Sequence, residues 1–180
     1  MQMVKRLAFL PIFLLLFTGI SFAQQISPTL TPTPSAVKYD LPYPGMLPDH
    51  PLYKLKVLRD KVVLLFIQDP IKKAEYHLLL ADKRIHMAKL LIDKGDIELA
   101  KETALKGENE ITNLVNLLKD KREKPTNDLF NRVEKASIKH QKVLDGIAKK
   151  VGEKDRDTFD TVIYFSNVNL EELRKVYKTY

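Results

Sequence analysis

Histidines and clustered carboxylates are the side chains through which this cysteine-free chain of 180 residues could do chemistry, as bases, acids or metal ligands. Four histidines are present. His77 and His86 stand on one amphipathic stretch, and neither has the His or Glu partner of a two-histidine zinc pattern such as H-E-x-x-H. His140 falls on an apolar stripe, where a lone histidine reads as a hydrogen-bonded core residue rather than a ligand. His50, between Asp49 and Pro51, reads as part of a turn that leads into a helix.

Asp155, Asp157 and Asp160 form a small acidic cluster, but a calcium loop of the EF-hand type needs a glycine at its sixth position and a bidentate Glu at its twelfth. Both are missing, and helix capping by Asp155 or Asp157 accounts for the cluster. Glu108, Glu110, Glu171 and Glu172 read as surface charges, with Glu102–Lys106 and Glu171–Lys175 as i,i+4 pairs worth a few tenths of a kcal/mol. No two carboxylates are placed to divide acid and base roles. The six glycines are scattered singly, so there is no phosphate-cradling loop, and there is no G-x-S-x-G elbow. The expectation is a chain that is not an enzyme and takes no cofactor and no metal. Metal or stress sensing in the periplasm through His77 and His86 is the weakest alternative.

The elements that carry these residues are helices. Ile71, Ala74, Leu78, Ala81, Ile85, Ala88 and Ile92 recur at alternating spacings of three and four, and Ile97, Ala100, Ala104, Gly107, Ile111, Leu114 and Leu118 do the same. Between them Lys94, Gly95 and Asp96 supply a last helical residue, a left-handed stop and a new cap. So short a reversal predicts an antiparallel hairpin over about 70–94 and 96–121, with a close-packed seam of small residues. Asp69-Pro70 starts the first arm and Pro125 ends the second.

A further helix is predicted over about 50–68, with Asp49 as its cap. Its stripe of Leu52, Leu55, Leu58, Val62 and Leu65 is widened by Val63, Leu64, Phe66 and Ile67, so its second half is expected to be central in the core. Thr126, Asn127 and Asp128 offer caps for a helix over about 127–151, striped by Leu129, Val133, Ala136, His140, Val143, Ile147 and Val151. A last helix over about 156–179 carries Phe159, Ile163, Ser166, Leu170, Leu173 and Tyr177 on one face. The fold expected is all-α, an antiparallel bundle of four to five helices.

Residues 1–23 combine Lys5 and Arg6, an apolar run from Leu7 to Ile20, and the small-residue ending Ser21-Phe22-Ala23. That is the three-part pattern of a signal peptide, and it predicts export to an extracytoplasmic place, secreted or in the cell envelope. An uncleaved leader acting as a membrane anchor is the minor alternative. Residues 24–38, rich in Pro, Thr and Ser, read as a disordered tether, and 39–180 as the helical domain.

Tyr39 to Tyr53 is too rich in proline for a helix or a central strand, yet Leu41, Tyr43, Met46, Leu47, Leu52 and Tyr53 are too apolar for free linker. Tyr39, Leu41, Tyr43, Met46, Leu47, Asp49, His50 and Tyr53 form the candidate interaction segment, either latching the bundle or offering a docking face to an envelope protein partner. The net charge is +7, of which Lys5 and Arg6 account for two. A basic face on the fourth helix (Arg132, Lys135, Lys139, Lys142, Lys149, Lys150) suggests weak contact with an anionic polymer or membrane surface as the alternative function. Glu134 and Asp145 interrupt that face, and export removes the usual ligand, so nucleic-acid binding is not expected.

The chain resembles a family of exported bacterial proteins, many from uncultured lineages, that carry a helical domain of unknown function. The resemblance rests on the motif P-G-x-L-P-D-x-P-x-Y within Leu41–Lys56, on Asp69–Glu75 and on the Lys94-Gly95-Asp96 turn, and it spans about residues 39–120. It implies a leader, a proline-rich tether and an α-helical extracytoplasmic domain, and it brings no catalytic residues and no cofactor.

Overall fold

The computed structural model describes residues 38–180. The leader expected over 1–23, and the tether expected over 24–38 apart from Lys38, lie outside the described residues. The described residues contain five α-helices and no strand: α1 Tyr53–Phe66, α2 Pro70–Asp93, α3 Ile97–Lys121, α4 Asn127–Ala148 and α5 Glu153–Thr179. No helix among them is long and apolar enough to cross a membrane.

Local chemistry sets most of the boundaries. The Asp69 carboxylate accepts from Lys72 N at 2.9 Å with Pro70 in the first turn, Asp96 accepts from Leu99 N at 3.1 Å, and Thr126 Oγ1 accepts from Leu129 N at 3.1 Å. Gly95 takes φ +85°, the left-handed conformation that lets α2 turn straight into α3. At the end of α3 Arg122 takes the same conformation at φ 50°, and Glu123 N closes back onto Leu118 O at 2.9 Å.

The two arms of the hairpin bury their small-residue seam on each other. Ala74, Leu78, Ala81, Ile85 and Ala88 of α2 and Ala100, Ala104, Gly107, Ile111, Leu114 and Leu118 of α3 are all buried. Glu75–Arg132 and Asp93–Lys150 pairs show that α4 runs parallel to α2, while Lys101–Asp155 and Lys119–Glu172 pairs show that α5 runs parallel to α3. Gln141–Ser166, Glu134–Arg174 and Asn127–Tyr177 contacts make α4 and α5 antiparallel. The four helices therefore form a ring in the order α2, α3, α5, α4, and the α3-to-α4 connection crosses the diagonal. Two layers of core fill it. One is centred on Leu78, Ile111, Leu114, Leu129 and Leu173, the other on Ile85, Leu91, Leu144, Ile147 and Phe159.

Three boundaries depart from expectation. α1 spans Tyr53–Phe66 rather than 50–68, and Asp49 does not cap it, because its carboxylate is drawn to Lys94 Nζ at 2.6 Å. His50 Nδ1 accepts instead from Leu52 N at 3.1 Å, so the histidine does fix the entry turn. α4 stops at Ala148, and α5 begins at Glu153 behind Gly152, which leaves Asp155 inside the first turn and bonded to Lys101 rather than capping.

The larger departure is that the second half of α1 is not central. Leu55, Leu58, Val62, Leu65 and Phe66 are exposed, Phe66 by 74%. α1 is apolar on two sides, and the side that meets the bundle is chosen by polar contacts. Tyr76 Oη donates to the buried Asp60 at 3.3 Å, Tyr53 Oη reaches Met87 Sδ at 3.8 Å, and Lys56 Nζ donates to Pro44 O at 2.8 Å. That rotation lays Tyr53, Val57 and Asp60 beside Leu80 and Met87 of α2 and turns the leucine stripe to solvent. Neither core layer contains a residue of α1.

Candidate functional site

The proline-rich segment is a latch along α2. Tyr39 Oη donates to Asp82 Oδ2 at 2.6 Å, His86 Nδ1 donates to Pro42 O at 2.9 Å, and Leu41 packs on the layer around Phe159. Pro44 is buried, and Gly45 takes φ +71° as the turn after it requires. Met46 O accepts from Lys56 Nζ at 3.3 Å, and burial pulls the Lys56 ammonium down to about 8. Met46 and Leu47 are half-buried, Tyr53 faces Met87, and Asp49 and His50 are exposed. Tyr43, 82% exposed, is the one aromatic of the segment left standing in water.

The latch ends in a buried carboxylate. Asp82 accepts from Tyr39 on one oxygen and from His140 Nε2 on the other, at 2.8 Å. His140 is wholly buried as its place on the apolar stripe requires, and its Nδ1 has no partner. Burial and the adjacent Asp82 both push the Tyr39 phenol far above its ordinary range, so it stays a donor at any physiological pH.

Glu108 and Glu110, read from sequence as surface charges, are both buried. Glu110 receives His77 Nδ1 at 2.5 Å and the Arg84 guanidinium. Burial works to raise its carboxyl, but His77 and Arg84 outweigh that and hold it below the usual range. His77 and His86 thus serve different neighbours, and no group of three His, Asp or Glu side chains converges on a metal position among the described residues.

Glu108 has no cation. Asn169 Nδ2 donates to its Oε1 at 2.6 Å, while Oε2 is buried without a partner. Burial lifts this carboxyl to about 7, against the smaller opposing pulls of Asn169, His140 and Ser166. Between pH 4.5, its ordinary value, and about 7 the folded chain keeps a proton that the unfolded chain has released, so stability falls as pH rises across that window. The fall is up to about 3 kcal/mol and levels off above it. Glu108→Gln removes the titration. Urea unfolding from pH 4.5 to 8 is therefore expected to show a flatter profile in the variant and greater stability than the parent at pH 8; coincident profiles would show that Glu108 is not desolvated.

Glu108 lies at a cleft of about 690 Å³ between α3 and α5, walled by Leu105, Val162, Phe165 and Val168 and floored by Thr112 and Asn169. Leu105 and Phe165 are more than two-fifths exposed. Sequence reasoning missed this site. Asn169 was the faint signal, a polar residue in the middle of a helix, directly before Leu170 and four positions before Leu173 of its apolar face.

The basic face of α4 is partly neutralised. Arg132 pairs with Glu75 and Asp128, Lys149 with Asp145 at 2.6 Å and Lys150 with Asp93 at 3.1 Å. Lys135, Lys139 and Lys142 carry no ion pair among the described residues. The outward face of α1 is the better-defined surface. At 100° per residue Leu55, Leu58, Val62, Leu65 and Phe66 fall within a sector of roughly 100°. Lys54 and Lys61 flank it on one side and the exposed Arg59 on the other, where Arg59 is paired at 2.7 Å with the buried Asp60, the only acidic residue of α1.

Fold and surface define an all-α bundle with an appended amphipathic helix, a polar latch and a small apolar cleft. Residues 45–154 match the family described as Domain of unknown function (DUF5667), and the chain belongs to that family. The match begins just after the residues through which the latch grips the bundle, Tyr39, Leu41, Pro42 and Pro44, and takes in α1 to α4, further along the chain than the resemblance over 39–120, while α5 lies almost wholly beyond it. No curated protein and no solved structure matches the chain.

Proposed function

We propose that the protein is a non-catalytic protein-interaction module of the cell envelope, exported by its leader and docking through the outward face of α1. One observation carries the reading: a folded helix turns five large apolar side chains to water, flanked on both sides by cations. The latch gives α1 its orientation, so Tyr39 to Tyr53 act as the frame of the docking element rather than as the docking face.

The flanking charges select the partner. Two copies meeting through this face would set the Lys54 and Lys61 of one near those of the other, while Asp60, the one carboxylate of α1, is already engaged by Arg59 at 2.7 Å and by Tyr76, so self-pairing is disfavoured. An apolar groove rimmed by Asp or Glu on another envelope protein answers both features. No catalysis, cofactor, metal or nucleic-acid role is part of the reading.

The double change Leu58→Asp with Leu65→Asp is expected to move stability by less than about 0.5 kcal/mol, because both side chains are already exposed. The same change should abolish crosslinking from a photoreactive residue at Val62 to an envelope protein. An anionic membrane surface is the second reading, and α1 suits it better than the partly ion-paired α4 because it joins Lys54 and Lys61 to an exposed apolar stripe. Retention of the parent chain on phosphatidylglycerol vesicles, lost in the double variant, would replace the protein partner with lipid.

A further inference from the structure

Where the turn of the latch meets α1 and α2, three cations line one cleft of about 270 Å³: Lys56 and Arg59 of α1 and Lys83 of α2, with Tyr43 to Met46 as the other wall. Arg59 is neutralised, since its Nε and one terminal nitrogen both donate to Asp60 Oδ1, at 3.1 and 2.7 Å. Lys56 and Lys83 are not. Lys56 Nζ donates to Pro44 O and Met46 O, which holds the ammonium in place and leaves one of its N–H groups unspent. Lys83 is half-buried, yet it makes no ion pair and no hydrogen bond among the described residues. The acids nearby are engaged elsewhere, Asp60 by Arg59 and Tyr76, and Glu110 by Arg84 and His77. Burial pulls the Lys56 ammonium down, and Lys83, Arg59 and Arg84 push the same way against the pull of Asp60. Two positive charges in the cleft are therefore left uncompensated, and an anion relieves both.

We propose that this cleft binds a phosphate monoester, whose phosphoryl oxygens accept from Lys56 Nζ, from Lys83 Nζ and from the guanidinium nitrogen of Arg59 that Asp60 leaves free. Charge decides the class. A monoester carries about two negative charges at neutral pH and offers three strong acceptor oxygens, which matches two free ammonium groups and one guanidinium edge. A carboxylate brings half that charge and one oxygen fewer. Tyr43, 82% exposed at the mouth of the cleft, has its ring free to cover the esterified group. None of the leucine-stripe residues of α1 lines the cleft, so the site does not rest on the docking reading.

Titration calorimetry of the full chain at pH 7 and low salt, with glycerol 3-phosphate and with glycerate, tests the assignment. Glycerol 3-phosphate is expected to bind about tenfold more tightly than glycerate, and Lys83→Gln should weaken it by about the same factor. Lys135→Gln removes a cation of α4 that also lacks an ion pair and should change nothing. The Leu58→Asp, Leu65→Asp variant should bind glycerol 3-phosphate as the parent does, which separates the cleft from the exposed stripe. In that same variant, flotation with phosphatidylcholine vesicles containing phosphatidic acid tells the source of the monoester. Retention that Lys83→Gln abolishes places it on a lipid headgroup, and no retention places it on a soluble ester. Equal affinity for glycerol 3-phosphate and glycerate would overturn the proposal. So would glycerol 3-phosphate binding that Lys83→Gln leaves intact, or that Lys135→Gln weakens as much.

Discussion

Asp82→Ala is expected to lower the free energy of unfolding by about 2 to 5 kcal/mol, because it leaves two buried donors, Tyr39 Oη and His140 Nε2, without their acceptor. The carboxylate is 4% exposed and serves two donors from distant parts of the chain, Tyr39 of the latch and His140 of α4. Without it His140 would be left with both ring nitrogens unpartnered at a wholly buried position, since its Nδ1 has none already. Tyr39→Phe removes only one hydrogen bond and should cost about 1 kcal/mol. Urea unfolding gives both numbers, and amide exchange over residues 41–46 gives a second readout, because each variant also frees the latch. If Asp82→Ala unfolds within 1 kcal/mol of the parent, the carboxylate is not the node at which latch and bundle meet.

The second large effect concerns the seam. A Cβ at Gly107 would stand 3.0 Å from Ile85 Cδ1 and 3.2 Å from Arg84 Cβ, so α2 and α3 are as close there as a glycine permits. Gly107→Leu is expected to cost about 3 kcal/mol through overpacking, against a helix-propensity gain of about 1. Gly107→Ala should cost much less, within about 1 kcal/mol of the parent, since the same gain offsets crowding against the Ile85 side chain and a slight give of α2 at Arg84 Cβ. The contrast between the two thermal melts is the test. A tolerated leucine would mean that the arms can separate without loss.

The hairpin was legible because both of its causes are local. Spacing by threes and fours marks the buried edges, and Lys94-Gly95-Asp96 leaves room for one tight reversal only. His140 was legible for the same reason. The rotation of α1 was not, because its apolar residues occupy two sides, and periodicity does not say which side a neighbour will take. The Asp60–Tyr76 contact decides that, and it spans sixteen residues. Glu108 and Glu110 follow the helical pattern of exposed charges when α3 is read alone. They are buried because α5 covers one and Arg84 and His77 of α2 enclose the other, which are facts about neighbours. The leader and tether remain proposals that rest on residues 1–37 alone.

The diagonal crossing between α3 and α4 bears on the order in which the chain assembles. Contacts within the α2/α3 pair join residues near in sequence and cost little loop entropy to form, whereas α5 must wait to lie against α3 until some fifty residues have been gathered in. If the chain is exported as proposed, N-terminus first, it would emerge with its hairpin already able to close, and with the leucine stripe of α1 standing beside a three-walled trough until α5 arrives. That interval, rather than the finished fold, is when this protein would most need a companion to keep it from its neighbours.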